Sequence, residues 1–223
     1  MTTPVLLITG AGLPAWIWDD LRSLLPGDAR VADRPRGGKE SLSGHARAAL
    51  DTASGWDEFT VVAHSAGGAI AAELVGLAGN RITGLLAVSA VLPSSGRSFL
   101  DAMPFPQRHI VGLMMRVAGT RPPAKAIRSG VASGVDSAIA ERIIADFVPE
   151  SQRLYRDRTG PREWPRRRGY VLTTADRELP VTLQDKQAAE LAGDIHRLAT
   201  GHLPMLEAPE ELAAVLAAMG VVH

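Results

Sequence analysis

The stretch Phe59-Thr-Val-Val-Ala-His-Ser65-Ala-Gly-Gly-Ala-Ile-Ala-Ala-Glu-Leu74 changes its periodicity halfway along. Thr60, Val61, Val62 and Ala63 read as a buried strand, whereas Ile70, Ala71, Leu74 and Val75 recur at helical intervals. Ser65 therefore falls where a strand turns sharply into a helix. Such a corner pushes its side chain out at the carboxyl end of a sheet, and it demands small neighbours so that the backbone can turn. Ala63, Gly67 and Gly68 meet that demand.

The same alternation extends in both directions. Strand-like segments occupy Val5 to Thr9, Ala29 to Asp33, Phe59 to His64, Leu85 to Ala90, Gly169 to Thr173 and Ile195 to Ala199. Amphipathic helical stretches separate most of them, at Trp16 to Leu25, Leu42 to Ala53, Ala66 to Leu77, Leu183 to Leu191 and Pro209 to Met219. Strand alternating with helix predicts an α/β protein, a six-stranded parallel sheet covered on both faces. The expected strand order is second, first, third, fourth, fifth, sixth, which puts a switch point between the first and third strands. One interval breaks the rhythm. From about Ser94 to Arg168 the chain is rich in Pro, Gly and Arg, with helical pieces near Ile110 to Val117 and Ile139 to Phe147 and no convincing strand. The predicted organisation is a core of residues 1–93 and 168–223 with a helical cap at 94–167.

Composition narrows the class. The 223 residues are 46% hydrophobic, enough for one globular domain with a full core. No cysteine is present, so disulfide and thiolate metal sites are excluded, and no His, Asp or Glu group has convincing metal spacing. The chain starts without a signal-like apolar region and no apolar run reaches membrane length, so a cytoplasmic protein without a membrane partner is expected. Charge balances at 24 Lys plus Arg against 24 Asp plus Glu, which gives no case for nucleic acid. The balance is uneven along the chain: Arg97 to Arg168 holds 14 basic residues against 7 acidic, leaving 10 against 17 elsewhere. A basic cap resting on an acidic body through surface pairs is the simple expectation, and steering of an anionic substrate the sharper one.

A serine hydroxyl at neutral pH needs a base to take its proton, and the base needs a partner to fix its tautomer. Asp176 opens the turn TTADRELP after the fifth strand, and His202 lies in TGHLPMLEAP after the sixth. The chain order Ser65, Asp176, His202 suits a nucleophile placed on a strand-to-helix corner. Asp101, Asp146 and Glu178 are weaker rivals for the acid. A tetrahedral intermediate also needs backbone donors, and ITGAGLPAW, Ile8 to Trp16, offers a strand end and two glycines before a helix, while Ala66 begins the helix after the corner. The Gly10-Ala-Gly12 loop lacks a third glycine and an acidic ribose ligand, so a dinucleotide site is rejected and no cofactor is expected.

AHSAGG, ITGAGLPAWIWDDL, VADRPRGG, YVLTTADRELP and TGHLPMLEAPEELAAVL together resemble the α/β-hydrolase superfamily. LLAVSAVLPSSGRSFL, Leu85 to Leu100, further resembles the branch of plant-type methyl esterases and hydroxynitrile lyases, where an Ala-x-x-Pro segment leads into the cap. The resemblance implies Ser65 as nucleophile, His202 as base and Asp176 as acid. It also implies the N–H groups of Ala11 and Ala66 as oxyanion hole, and Leu13 and Phe99 as substrate contacts. The chain departs from the pattern at Thr9, where the family usually has His, at Ala63 in place of the first elbow glycine, and at Leu203, where the lyases have Lys. A cation at that last position would stabilise departing cyanide, so its absence favours hydrolysis of a small ester or lactone.

Two other reactions or roles stay open: a cofactor-free lyase or cyclising acyl transferase with the same residues, and a ligand-binding protein with little turnover. Among the remaining features, His64 is expected to pack beside the corner, His196 to begin its strand at the far edge, and His45 and His223 to lie on the surface. His109 is expected in solvent rather than facing the cleft, Met114 and Met115 in core packing rather than lining an apolar substrate pocket, Arg166 to Arg168 at a solvated edge, and Asp19 and Asp20 in a helical first turn. With 4% aromatic residues, the pocket is expected to be mainly aliphatic and Met.

Overall fold

A computed structural model of the chain describes residues 2–35 and 38–220, so His223, expected at the surface, and Arg36 and Gly37 of the VADRPRGG motif lie outside the described residues. Six strands, β1 (Val5–Ile8), β2 (Ala29–Val31), β3 (Phe59–His64), β4 (Ile82–Val88), β5 (Arg167–Thr173) and β6 (Asp194–Leu198), form one sheet in the order β2-β1-β3-β4-β5-β6. Every neighbouring pair is parallel, as the alternation predicts.

Successive side chains point to opposite faces, so each strand feeds two cores. Leu6 and Ile8 of β1 pack with α2 (Leu42–Thr52), α3 (Gly67–Ala78) and α9 (Val181–Leu191), whereas Val5 and Leu7 pack with α1 (Asp19–Leu24), α10 (Pro204–Glu207) and α11 (Pro209–Ala218). A short 3-10 turn, Ala15–Trp18, precedes α1, which opens on Asp19 and Asp20 as expected. Between β4 and β5 lie α4 (Phe99–Ala102), α5 (Gln107–Ala118), α6 (Ala124–Ser129), α7 (Ser137–Asp146) and α8 (Gln152–Arg156). Polar caps delimit several of them: Ser98 and Asp101 form a reciprocal capping box on α4, and the Asp136 and Ser151 side chains accept from the first turns of α7 and α8.

Three expectations need correction. His45 is buried at 2% exposure, because it belongs to the stripe Leu42, His45, Ala46, Ala49 by which α2 meets the sheet. Nor does a basic β4–β5 connection rest on acidic partners in the body. Among the described residues, the ion pair between the two runs the other way, Arg34 of the body with Glu150, and the His45 ring lies 3.8 Å from the same carboxylate without a charge of its own. The basic residues of the connection that pair do so within it, as Arg128 with Glu141 and Arg153 with Asp157. His196 is half-buried in the middle of β6, opposite Val171, rather than at its start.

Candidate active site

The corner after β3 holds Ser65 at φ 53°, a left-handed conformation unfavourable for a residue with a Cβ. Its surroundings fix it there. Ser65 N–H donates to the Val88 carbonyl, and the Ser65 carbonyl accepts from Gly68 and Val91 N–H. The two glycines that follow are required by proximity: a Cβ on Gly67 would lie 2.6 Å from the Thr9 oxygen, and one on Gly68 2.5 Å from the Val91 oxygen. The sequence AGG thus lets α3 start against the loops after β1 and β4.

At the ends of β5 and β6 stand Asp176 and His202. Asp176 Oδ2 accepts from His202 Nδ1 at 2.8 Å, Ser89 Oγ at 2.5 Å, Thr173 Oγ1 at 2.8 Å and Gln184 Nε2 at 3.2 Å. Its Oδ1 accepts the N–H groups of Glu178 and Leu179 at 2.8 and 2.9 Å. Burial alone would raise the Asp176 pKa, but the hydrogen bond and charge of His202, with Ser89 and the Leu179 N–H, outweigh it and hold the carboxyl well below the usual carboxylate range. The carboxylate fixes the proton of His202 on Nδ1 and leaves Nε2 for the cleft. No hydrogen bond joins Ser65 Oγ to His202 in the structure; both line one cleft of about 410 Å³.

His202 is held from two sides. His64 Nε2 donates to the His202 carbonyl at 2.8 Å, and the Glu207 carboxylate accepts from Gly201 and Leu203 N–H. Burial, followed by the charge of His202, drives the His64 pKa well below its ordinary value, so this ring is a neutral support. His64 packs beside the corner as expected, and it also anchors the backbone of the neighbouring imidazole.

The Gly10-Ala-Gly12 loop borders the same cleft. Among the described residues neither Ala11 N–H nor Ala66 N–H finds a protein acceptor, and both residues line the cleft beside Ser65. The loop is braced from behind by Arg34, whose guanidinium donates to the Thr9 and Gly10 carbonyls and pairs with Glu150. Glu150 in turn accepts from Gly12 N–H at 3.3 Å, and Val148 N–H donates to the Gly12 carbonyl at 3.0 Å. Where the family usually carries His, this chain has Thr9 backed by an arginine. A larger cavity of about 850 Å³ lies on that rear side, lined by Arg34, His45 and Glu150, and excludes Ser65 and His202.

Leu13 and Phe99 line the cleft with Val91, Met103, Val111 and Met115. The lining is less purely aliphatic than the composition suggests, because Phe99, Phe147 and Tyr155, half of the six Phe and Tyr residues, are gathered there. Met115 lines the cleft and packs against the core, the pocket role weighed for it, whereas Met114 is exposed. The rival acids fall elsewhere: Asp101 caps α4, Asp146 accepts from Trp16 Nε1, and Glu178 lines the cleft without a hydrogen bond to His202. Sequence reasoning missed Ser89 and Arg34. Ser89 stands inside an apolar run, where a lone serine carries no signal, and Arg34 sits in a polar loop that reads as solvent.

A parallel sheet in this order, a serine on a strained corner at its switch point, and an Asp–His pair at the ends of the last two strands define an α/β-hydrolase arrangement. Residues 5–215 match the alpha/beta hydrolase family, and the chain belongs to it. No curated protein matches it in sequence. Among solved structures it is similar to an extracellular alpha/beta-hydrolase from a Paenibacillus species, described as sharing structural and functional homology with tobacco salicylic acid binding protein 2. That match has a TM-score of 0.78 and 17% identity over 97% of this chain and 98% of the other. It is similar to a pyrethroid hydrolase from Sphingobium faniae JZ-2, with a TM-score of 0.75 and 20% identity over 98% and 97%. Polyneuridine aldehyde esterase matches with a TM-score of 0.75 and 15% identity over 99% and 100%. These likenesses show a shared fold.

Proposed function

We propose that the protein is a serine hydrolase that cleaves a small carboxylic ester or lactone. The observation that carries this reading is the grouping, in one cleft, of Ser65 on its strained corner, an imidazole whose Nδ1 is fixed by a carboxylate, and two unpaired backbone N–H groups. In the first half-reaction His202 Nε2 takes the Ser65 proton as Oγ attacks the carbonyl carbon. The oxyanion receives hydrogen bonds from Ala11 and Ala66 N–H, and a single such donor is worth about 3 kcal/mol in enzymes of this kind. The intermediate collapses, the alcohol leaves with the proton from His202, and the acyl group remains on Ser65. Water, deprotonated by His202, then releases the acid and restores the serine. Asp176 keeps its charge throughout and steadies the imidazolium.

A panel of p-nitrophenyl esters of increasing acyl length and of simple lactones tests the reading. The expected result is one acid formed per ester consumed, with a stoichiometric burst of p-nitrophenol when deacylation is slower. Ligand-induced shifts in Tm without any product would replace the hydrolase reading by that of a binding protein.

A further inference from the structure

Of nine large apolar side chains exposed among the described residues, five lie between Phe105 and Val117. Ile110, Leu113, Met114 and Val117 are spaced three and four apart on α5 and form one stripe, each more than half exposed. The opposite side of the helix is already covered. Val111 and Met115 line the cleft, and Gly112 lies against Leu100 with its carbonyl accepting from Arg156. The helix is apolar on two sides, and the protein buries only one of them. Isolated exposed apolar residues are ordinary, but a contiguous stripe on a single element marks a contact surface.

Charge identifies the partner. From Ala102 to Val135 the sequence holds Arg108, Arg116, Arg121, Lys125 and Arg128, and no Asp or Glu. Arg128 pairs with Glu141, and Arg121 donates to the Ile144 and Phe147 carbonyls. Arg108, Arg116 and Lys125 have no carboxylate partner among the described residues. The helical turn places Arg116 beside Leu113 on the flank of the stripe, and Arg108 stands over the Phe105 ring, its guanidinium carbon 6.0 Å from the centroid.

We propose that the outer face of α5 docks on an anionic phospholipid surface, with the stripe and Phe105 entering the headgroup–acyl boundary and Arg116 on the flank of the stripe meeting lipid phosphates. An apolar helix face bordered by cations is the arrangement that such surfaces bind, through apolar burial and electrostatic attraction together. A second copy is a poorer occupant, because a two-fold interface sets the patch against itself and brings one basic flank onto the other with no carboxylate between them. The absence of a membrane-length run excludes only a spanning helix, so the docking revises the sequence-based expectation of no membrane partner. It does not depend on the reaction at Ser65.

The test is cosedimentation of the full chain with vesicles of phosphatidylcholine alone and with added phosphatidylglycerol, at low and high salt. Binding to the anionic vesicles that weakens with salt is expected, with little binding to the neutral ones. The double variant Leu113→Glu/Val117→Glu changes two exposed side chains outside the cleft, and its circular dichroism and Tm should match the parent. It should bind at least about tenfold more weakly, because two apolar contacts become charged. Arg116→Gln should weaken binding about fivefold. Failure of the parent to bind anionic vesicles at low salt, or binding that the double variant leaves unchanged, would overturn the proposal. A concentration-dependent dimer in sedimentation velocity that the double variant abolishes, with no vesicle binding, would assign the face to a second copy instead.

Discussion

Two serines stand at the carboxyl ends of adjacent strands, Ser65 after β3 and Ser89 after β4, and both take left-handed backbone conformations, at φ 53° and 43°. Both belong to the neighbourhood of His202, yet their surroundings assign them opposite tasks. Ser89 is fully buried, donates to Asp176 Oδ2, and lies 3.3 Å from His202 Nδ1, on the side of the ring away from the cleft. Ser65 is half-buried, lines the cleft, and has the Ala11 and Ala66 N–H groups beside it. A hydroxyl whose proton is committed to a carboxylate, with no route to solvent, supports the acid. One that faces an open cleft at the Nε2 side is free to attack. Side-chain type and backbone strain are the same in both, so access and hydrogen-bond partners make the difference.

The largest effect should separate the two hydroxyls directly. Ser65→Ala is expected to lower kcat for ester hydrolysis by about 10⁴-fold or more with the fold intact, since removing the nucleophile leaves only binding and oxyanion stabilisation. A variant that keeps a tenth of the activity would break the comparison at once. The Ser65 corner should also be the less forgiving of added volume. Gly67→Ala would put a methyl group against the Thr9 and Ile8 carbonyls and should cost about 3 kcal/mol in urea unfolding, because main-chain atoms cannot move aside cheaply.

Acid probes the supports behind both serines. Burial, and then the charge of Arg34, lowers the His45 pKa to about 4, and burial lowers that of His64 as well. Each ring is neutral when folded, so below about pH 6.5 the unfolded chain binds protons that the folded chain refuses. Stability should therefore fall as pH drops from about 6.5 towards 4, by about 3 kcal/mol for His45, and level once the folded ring titrates. His45→Gln should flatten that part of the profile in pH-dependent thermal melts. The smallest effect belongs to Ser89→Ala, expected to lower kcat about tenfold through one lost hydrogen bond to a charged group.

Much of this was legible before any coordinates. The body could be read because its strands and helices differ in period, and because glycines punctuate the one corner that matters. The strand order and the pairing of Asp176 with His202 near Ser65 follow from that pattern, whereas Ala11, Leu13 and Phe99, which line the same cleft as Ser65 and His202, follow from the resemblance to the family. The β4–β5 connection was readable only in part, since α4, α6 and α8 have four, six and five residues, too short for periodicity to register. Ser89, Arg34 and His45 were hidden for a related reason. Ser89 and Arg34 are polar residues held by partners distant in the chain, Asp176 and Glu150, which one-dimensional patterns do not report, and His45 is a polar residue carried inside on the buried stripe of α2.

The central claim is that Ser65, and not its neighbour Ser89, is the activated hydroxyl. The most direct measurement is the intact mass of the parent, Ser65→Ala and Ser89→Ala after treatment with a fluorophosphonate. A single adduct on the parent and on Ser89→Ala, with none on Ser65→Ala, is the predicted result. An adduct that survives Ser65→Ala and disappears in Ser89→Ala, or no adduct on a folded parent, would contradict it.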